Sequence, residues 1–252
     1  MIALETVPEV PRRAWMQLRE GLLRIIGDNI VAIWAFGGTV SAPADGPIGD
    51  LDTFVVLRHP VDQESVTAIE AAHATIARDL DIEWDSWYVL EEDTRQSVPP
   101  RHAWLDRRNE TWAIDRAMWL AGRYVLLHGA AAAEIVRQPS HQELNDALSS
   151  EVEHLERHVE AGDTDPYEAT YAILNGSRIL RTIQTGDATI SKREAGPWGL
   201  THLPGQWHPV LQAAIRAYEG NATPDDEGVL ARDMKAFVGM IRSEVMSSRS
   251  GG

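Results

Sequence analysis

The most informative part of the sequence is AFGGTVSAPADGPIGDLDTFVVL, residues 35–57. One apolar run ends at the glycine pair Gly37 and Gly38, and the next begins at two aspartates, Asp50 and Asp52. Side chains two residues apart on a strand point to the same face, so these two carboxylates are predicted to lie side by side. Two like charges in such positions repel each other without a cation, and Mg²⁺ is the usual hard cation for oxygen ligands. The stretch therefore predicts a turn followed by a metal-binding strand.

The turn before the two aspartates suits a phosphate group. Glycine at position 38 lets backbone N–H groups approach an anion closely, and the hydroxyl of Thr39 adds another donor. A third carboxylate would complete the site, and the run DIEWDSWYV offers Glu83 and Asp85, again two apart on one face. A metal, a phosphate site and a carboxylate base are typical of phosphoryl or nucleotidyl transfer. The structural alternative is that Asp50 only begins a strand.

Strand and helix patterns alternate around this stretch. Periodic apolar residues predict a helix at 11–29 and another at 62–80, with Asp62 as the N-cap of the second. Apolar and alternating runs predict three strands, at 29–36, 51–57 and 82–90. This order predicts a small mixed sheet that is backed by helices.

After about residue 130 every pattern is helical. The predicted helices are 140–160, 166–185, 191–200, 209–219 and 224–246. Their short connections are typical of a helical bundle. The chain is therefore predicted to be an α+β protein with a sheet-containing domain at 1–135, a helical domain at 136–246 and a disordered tail at 247–252.

Composition limits the function. The 252 residues include 23 Lys and Arg against 38 Asp and Glu, a formal net charge of −15. Such a surface repels nucleic acid, whose binding depends on Lys and Arg, and attracts a small polycation. Cysteine is absent, no apolar run approaches the roughly twenty residues of a membrane span, and the N-terminus has no signal-peptide pattern. We expect a cytoplasmic monomer without nucleic-acid or membrane partners.

Two sets of motifs resemble a known family. The Gly-Thr pair followed by Asp-x-Asp on a strand resembles the nucleotidyltransferase fold of polymerase-beta-like enzymes. Further along, LNGSRILRTIQTGDATISKREAGPWGLTHLP and HPVLQAAIRAYEG resemble the helical domain of the streptomycin/spectinomycin adenylyltransferases. The segment LLHGAAAAEIVRQPSHQELNDAL is similar to the connection between that family's two domains. The resemblance covers most of residues 30–245 and implies a nucleotidyltransferase domain followed by a helical domain.

The resemblance implies roles at the nucleotide for the matching residues. Mg²⁺ would be held by Asp50, Asp52 and Asp85. The phosphates and the nucleotide of ATP would be held by Gly38, Thr39, Arg178, Lys192 and Tyr218. The family has a glutamate as catalytic base, which Glu83 matches in residue type and Asp85 matches in its distance from the strand end. We favour Asp85 and expect the other acid to lie beside it.

The resemblance also implies a surface for a cationic acceptor. Glu168, Tyr171, Asn175 and Arg178 follow helical spacing on one face, and Glu168 stands where the family has a substrate-binding acid. Trp104 and Trp112 lie where the family has an aromatic residue that packs on the drug. Trp112 fits a core position equally well, because Trp is often buried. We predict substrate-binding roles for Glu168, Tyr171, Trp104 and Trp112.

The function that the resemblance implies is transfer of AMP from ATP to a hydroxyl of a streptomycin- or spectinomycin-like aminoglycoside, with release of pyrophosphate. Two alternatives stay open. The same chemistry could act on a protein or another metabolite, or the protein could bind nucleotide without transferring it. A template-dependent polymerase is disfavoured by the acidic surface.

Overall fold

The computed structural model describes residues 1–41, 50–160 and 165–250. The chain divides into two compact units, Met1–Ser140 and His141–Gly252. The sequence analysis ends the first domain at residue 135. The first unit holds the sheet, and the described residues of the second unit form helices and their connections.

The sheet of the first unit has four strands in the spatial order β3-β2-β1-β4. The strands are β1 Ile30–Phe36, β2 Leu51–Leu57, β3 Trp84–Leu90 and β4 Val125–Gly129. Strand β1 is antiparallel to both β2 and β4, whereas β2 and β3 are parallel. This small mixed sheet with helices confirms the predicted α+β class. Strand β4 is missing from the sequence prediction, because its short run VLLHG was assigned to the connection between the domains.

Two helices cover one face of the sheet. Helix α1 spans Glu9–Ile26 and helix α2 spans Gln63–Leu80. Their buried side chains form a core cluster with the facing strand residues, including Trp15, Leu18, Ile69, Ile33, Val55 and Tyr88. The predicted N-cap of α2 is confirmed, since the Asp62 side chain accepts a hydrogen bond of 2.8 Å from the Ser65 N–H.

The other face of the sheet is aromatic. After the short helix α3, Glu91–Thr94, it is covered by α4, Trp112–Leu120, and α5, Ala132–Ile135. Its core cluster includes Trp34, Phe54, Val89, Trp112 and Trp119. Alternation along β2 puts Asp52 on the same face as Phe54. The acidic end of β2 therefore adjoins the buried aromatic core.

The described residues of the second unit include five long helices. They are α6 His141–Glu160, α7 Pro166–Thr185, α8 Lys192–His202, α9 His208–Tyr218 and α10 Pro224–Ser250. Helix α7 is the most buried of them, and a Cβ on Gly176 would overlap Ile241 of α10. Glycine thus lets α10 pack closely on α7.

The ends of the described chain differ in part from the prediction. Helix α10 continues through residue 250, whereas the sequence analysis begins a disordered tail at residue 247. Residues 251–252 lie outside the described residues. Within the described ranges, no helix is long and apolar enough to cross a membrane.

Candidate active site

A left-handed glycine connects β1 to the acidic strand. Gly37 has a φ of +84°, a backbone conformation that residues other than glycine rarely adopt. A Cβ at this position would overlap Oδ2 of Asp52, which lies opposite Phe36 in the β1–β2 pair. Gly37 therefore makes the space in which the Asp52 carboxylate lies, a role that the sequence analysis missed.

The next two residues are the predicted phosphate donors. Gly38 is exposed, so its backbone is accessible. Thr39 is buried, and its hydroxyl donates a hydrogen bond of 3.0 Å to the carbonyl of Asp50. This bond ties the turn to the start of β2, and a contact between the Thr39 hydroxyl and phosphate stays a prediction. The segment 42–49 of the opening stretch lies outside the described residues.

Two carboxylates are neighbours on adjacent strands. Asp52 of β2 and Asp85 of β3 are direct partners in the parallel pair, with strands about 4.8 Å apart. Partners in register point to the same face, here the face of the aromatic core. Glu83 precedes β3 and is exposed, and its carbonyl accepts a hydrogen bond of 3.0 Å from the Leu51 N–H. Of the two candidate bases, Asp85 is the one in register with Asp52.

An arginine lies against this pair. The guanidinium of Arg107 is 3.4 Å from Oδ1 of Asp85 and donates a hydrogen bond of 3.1 Å to the Ser86 carbonyl. It also stacks 4.2 Å from the ring centroid of Trp87. Arg107 thus places positive charge beside a candidate catalytic acid. The sequence analysis did not single it out, because only the tertiary fold brings residue 107 to β3.

The loop that carries Arg107 is anchored by a buried histidine. His102 accepts hydrogen bonds at Nδ1 from the N–H groups of Trp104 and Leu105, at 3.4 and 3.2 Å. Burial, with a smaller effect from the charge of Arg107, lowers the pKa of His102 to about 4. The imidazole is therefore neutral at pH 7, as its acceptor role requires.

The metal-binding roles of Asp50, Asp52 and Asp85 stay a prediction. In residues 1–41, 50–160 and 165–250, no three His, Asp or Glu side chains are grouped so that they could hold a metal ion. Asp50 is exposed and lies before β2, whereas Asp52 and Asp85 remain as an in-register pair. Mg²⁺ commonly uses only one or two protein carboxylates together with substrate phosphates. The pair fits that manner of binding.

In the second unit, the guanidinium of Arg178 donates hydrogen bonds to two acceptors. On α7, its Nε donates to the Ile190 carbonyl at 3.0 Å, and its Nη1 donates to Oδ1 of Asn175 at 2.9 Å. The Asn175 amide in turn donates to Oε1 of Glu151 on α6. These bonds restrict the guanidinium, so its direction is set before any ligand binds.

Glu151 also reaches the residues around Lys192. The Tyr171 hydroxyl donates to Oε1 of Glu151 at 3.0 Å, and Nζ of Lys192 lies 4.6 Å from the Tyr171 ring centroid. Burial, with the charge of Glu151 as a second cause, raises the pKa of Tyr171 above its ordinary value. Lys192 is the first residue of α8, directly after its N-cap Ser191. The cap therefore fixes the point at the start of α8 from which the Lys192 side chain projects.

The remaining predicted residues lie in different surroundings. Glu168 is partly exposed, with Oε2 at 3.5 Å from Nδ1 of His158. Tyr218 ends α9, and the guanidinium of Arg193 lies 5.8 Å from its ring centroid. Trp104 is half-buried, and its ring centroid is 4.5 Å from that of Tyr88. The substrate and nucleotide roles of these three residues stay predictions.

Trp112 lies inside the aromatic core. It is 1% exposed and stacks on Phe54, with ring centroids 5.7 Å apart. Its ring also meets Trp119 at 5.8 Å in an edge arrangement. This burial favours the packing alternative, and the substrate role of Trp112 stays a prediction.

Comparison with solved structures shows which fold this chain shares. The fold matches the crystal structure of spectinomycin adenyltransferase AAD(9) from Enterococcus faecialis with ATP and spectinomycin, at a TM-score of 0.70 and 16% identity. The match covers 93% of this chain and 98% of that chain, and at this identity it establishes the fold. The chain therefore shares the fold of that adenyltransferase.

The family assignment is more particular. Residues 134–244 match the family model described as aminoglycoside adenylyltransferase, C-terminal domain. The resemblance inferred from the sequence motifs is thereby confirmed, and the protein is an enzyme of the nucleotidyltransferase class. A search of curated proteins found no match.

Proposed function

We propose that this protein is a Mg²⁺-dependent enzyme that transfers AMP from ATP to a hydroxyl of a streptomycin- or spectinomycin-like aminoglycoside and releases pyrophosphate. The observation that carries the proposal is the in-register pair of Asp52 and Asp85 beside the turn at Gly37. The family description of residues 134–244, and the ATP and spectinomycin of the structurally similar AAD(9), support the choice of both substrates.

Mg²⁺ would be held by Asp52 and Asp85, with phosphate oxygens of the nucleotide completing its ligands. The pair fits an ion because two carboxylates point to the same face from adjacent strands, and Mg²⁺ takes carboxylate oxygens as ligands. When bound, Mg²⁺ would neutralise phosphate charge. Asp50, which is exposed before β2, is the third proposed ligand.

Asp85 is the proposed general base. Its carboxylate would take the proton of the acceptor hydroxyl, whose oxygen then bonds to the α-phosphorus of ATP. The bond from that phosphorus to the pyrophosphate oxygen breaks, and pyrophosphate leaves with the electron pair. Backbone N–H groups at Gly38 are the proposed donors to the phosphates, because this glycine is exposed in a tight turn.

Arg178 and Lys192 are proposed to bind the phosphates of ATP, and Tyr218 to lie at the nucleotide. Arginine and lysine make charge-assisted hydrogen bonds to phosphate oxygens. The hydrogen bonds from Arg178 to Ile190 and Asn175 hold its guanidinium in one direction, which reduces the entropy lost on binding.

The acceptor is proposed to be cationic. Glu168 offers a partly exposed carboxylate and Trp104 a half-buried ring, while Tyr171 lies on the same helix as Glu168. Ammonium and guanidinium groups of an aminoglycoside would bind carboxylates through charge-assisted hydrogen bonds. The net charge of −15 would speed the arrival of a polycation.

The proposal is tested by incubating the full chain with MgATP and a streptomycin/spectinomycin panel while pyrophosphate is measured. We expect antibiotic-dependent release with at least one member of the panel and none with Asp85→Asn. Release that needs no antibiotic but labels a protein with radioactive ATP would favour a protein acceptor. ATP binding without turnover towards any acceptor would favour a nucleotide-binding module.

A further inference from the structure

We propose that Glu151 is a positioning residue for the nucleotide, one buried carboxylate that orients both Arg178 and Lys192. It acts on Arg178 through Asn175 and on Lys192 through Tyr171. The inference rests on the proposed function, because the nucleotide-binding roles of the two cations belong to that proposal.

Glu151 stands at a position where its helix is otherwise apolar. Its neighbours on the buried face of α6 are Leu148, Val152 and Leu155, and Glu151 itself is 9% exposed. Burying a carboxylate is costly unless hydrogen bonds compensate for the lost water. Glu151 accepts two hydrogen bonds, both from α7, which compensate for the lost water.

The first of these bonds sets the orientation of an amide. A carboxylate can only accept hydrogen bonds, so Glu151 requires the NH₂ end of Asn175 to face it. The oxygen of the same amide then faces the other way, where it accepts from Nη1 of Arg178 at 2.9 Å. Asn175 is 5% exposed, so water does not readily replace either partner. The accepting oxygen of Glu151 and the donating guanidinium of Arg178 therefore hold the Asn175 amide in the same orientation.

The second bond sets the position of a ring. The Tyr171 hydroxyl donates to Glu151 at 3.0 Å, and this bond fixes the aromatic ring over which Nζ of Lys192 lies at 4.6 Å. A cation at this distance from an aromatic centroid is attracted to the ring face. Glu151 thus has a structural path to each of the two phosphate-binding cations.

The test compares Glu151→Gln with Glu156→Gln in the full chain. Glutamine keeps the size of the side chain and one accepting oxygen but replaces the carboxylate, so the hydrogen bonds from Asn175 and Tyr171, which both end on Oε1, become weaker. Glu156 is the matched control on the same helix, where it pairs with Arg242 of α10 at 2.7 Å. We expect Glu151→Gln to raise the KM for ATP about tenfold, with kcat and the acceptor KM nearly unchanged. The control should leave the ATP KM at its parent value.

Two further variants separate positioning from general loss of structure. Asn175→Ala interrupts only the path to Arg178, and Tyr171→Phe removes the hydroxyl but keeps the ring under Lys192. If Glu151 acts through these residues, the double variant Glu151→Gln/Asn175→Ala should raise the ATP KM no further than the larger single effect. Additive effects in this cycle would overturn the inference. If Glu151→Gln does not fold, the ATP KM of Asn175→Ala is the remaining test of the positioning role. An ATP KM equal to that of the parent in Asn175→Ala would also overturn the inference.

The two proposals fail in different ways. If Arg178→Ala weakens ATP binding while a folded Glu151→Gln changes the ATP KM by less than about twofold, only the positioning role is wrong. If the parent chain neither binds nor uses ATP, the proposed function fails and the positioning role fails with it. Equilibrium binding of ATP without acceptor gives a readout that is independent of turnover.

Discussion

Gly37 and Asp52 occupy complementary space, because a Cβ on the glycine would overlap Oδ2 of the aspartate. The φ of +84° at Gly37 turns the chain out of β1, and the β1–β2 register brings Asp52 next to that turn. The paired carboxylates of Asp52 and Asp85 thus depend on a residue that has no side chain. This relationship gives the most direct mutational test of the site geometry.

Gly37→Ala should displace the Asp52 carboxylate and reduce kcat/KM by about 100-fold, since small misplacements of catalytic groups have effects of that size. The left-handed backbone should also cost about 1 kcal/mol of stability. Gly186→Ala is the matched control, because Gly186 has a φ of +72° with nothing within 4 Å of its added Cβ. It should lose similar stability and keep its activity. Equal activity losses in the two variants would show that backbone strain, and not Asp52, is responsible.

The choice between the two candidate bases predicts unequal effects of neutralisation. Asp85→Asn should lower kcat on the order of 10³-fold, which is within the range for a lost general base and takes product formation below detection in incubations as short as the parent requires. Glu83→Gln should stay within about threefold of the parent, because Glu83 is exposed and precedes β3. Antibiotic-dependent pyrophosphate release measures both. The larger loss in Glu83→Gln would reverse the assignment.

Trp112→Phe should lower the free energy of unfolding by about 1–2 kcal/mol, because a smaller ring leaves space in the aromatic core. Trp112 is 1% exposed and stacks on Phe54, so its replacement should not change the acceptor KM. Chemical denaturation gives the free energy of unfolding, and steady-state kinetics give the acceptor KM. A raised acceptor KM with unchanged stability would restore the substrate-binding role.

Stability should fall as the pH is lowered, in part through His73. Burial lowers the pKa of His73 from 6.5 to about 4, and its Nε2 lies 2.6 Å from the Tyr88 hydroxyl. Between pH 6.5 and about 4 the unfolded chain binds the proton and the folded chain does not, so this contribution is present above pH 6.5 and is lost on acidification. The cost between pH 7 and pH 5 should be about 1–2 kcal/mol.

The control for this pH effect is a pair of glutamine variants. His73→Gln can keep a hydrogen bond to Tyr88 but cannot titrate, so denaturation at the two pH values should show a smaller loss than in the parent. His59→Gln, at an exposed histidine, should keep the parent's pH dependence. If His73→Gln and the parent lose the same stability, His73 is not a source of the effect.

Local sequence patterns predict most of the fold. The apolar runs give β1, β2 and β3, and the spacing of apolar residues gives the long helices, because both signals are set by neighbouring residues. The cap at Asp62 is predictable for the same reason. Strand β4, Val125–Gly129, is not predicted, because five residues beside an alanine-rich segment show no clear period of apolar residues.

The site was less predictable, because several of its contacts join distant residues. The approach of Arg107 to Asp85 depends on how a loop returns to β3, and no local pattern encodes it. The overlap at Gly37 depends on strand register. Glu151 had a signal, since it is an acid on the apolar face of α6 between Leu148 and Leu155. An acidic residue at such a position could have been selected from the sequence alone.

The central claim is that the acids Asp52 and Asp85 support AMP transfer to an aminoglycoside. Mass spectrometry of streptomycin and spectinomycin after incubation with the full chain and MgATP tests it most directly. We predict that one of them gains a single AMP group with the parent chain, and that the product is absent with Asp85→Asn or without Mg²⁺. An unmodified antibiotic with the parent chain, or equal adenylylation by Asp85→Asn, would contradict the account.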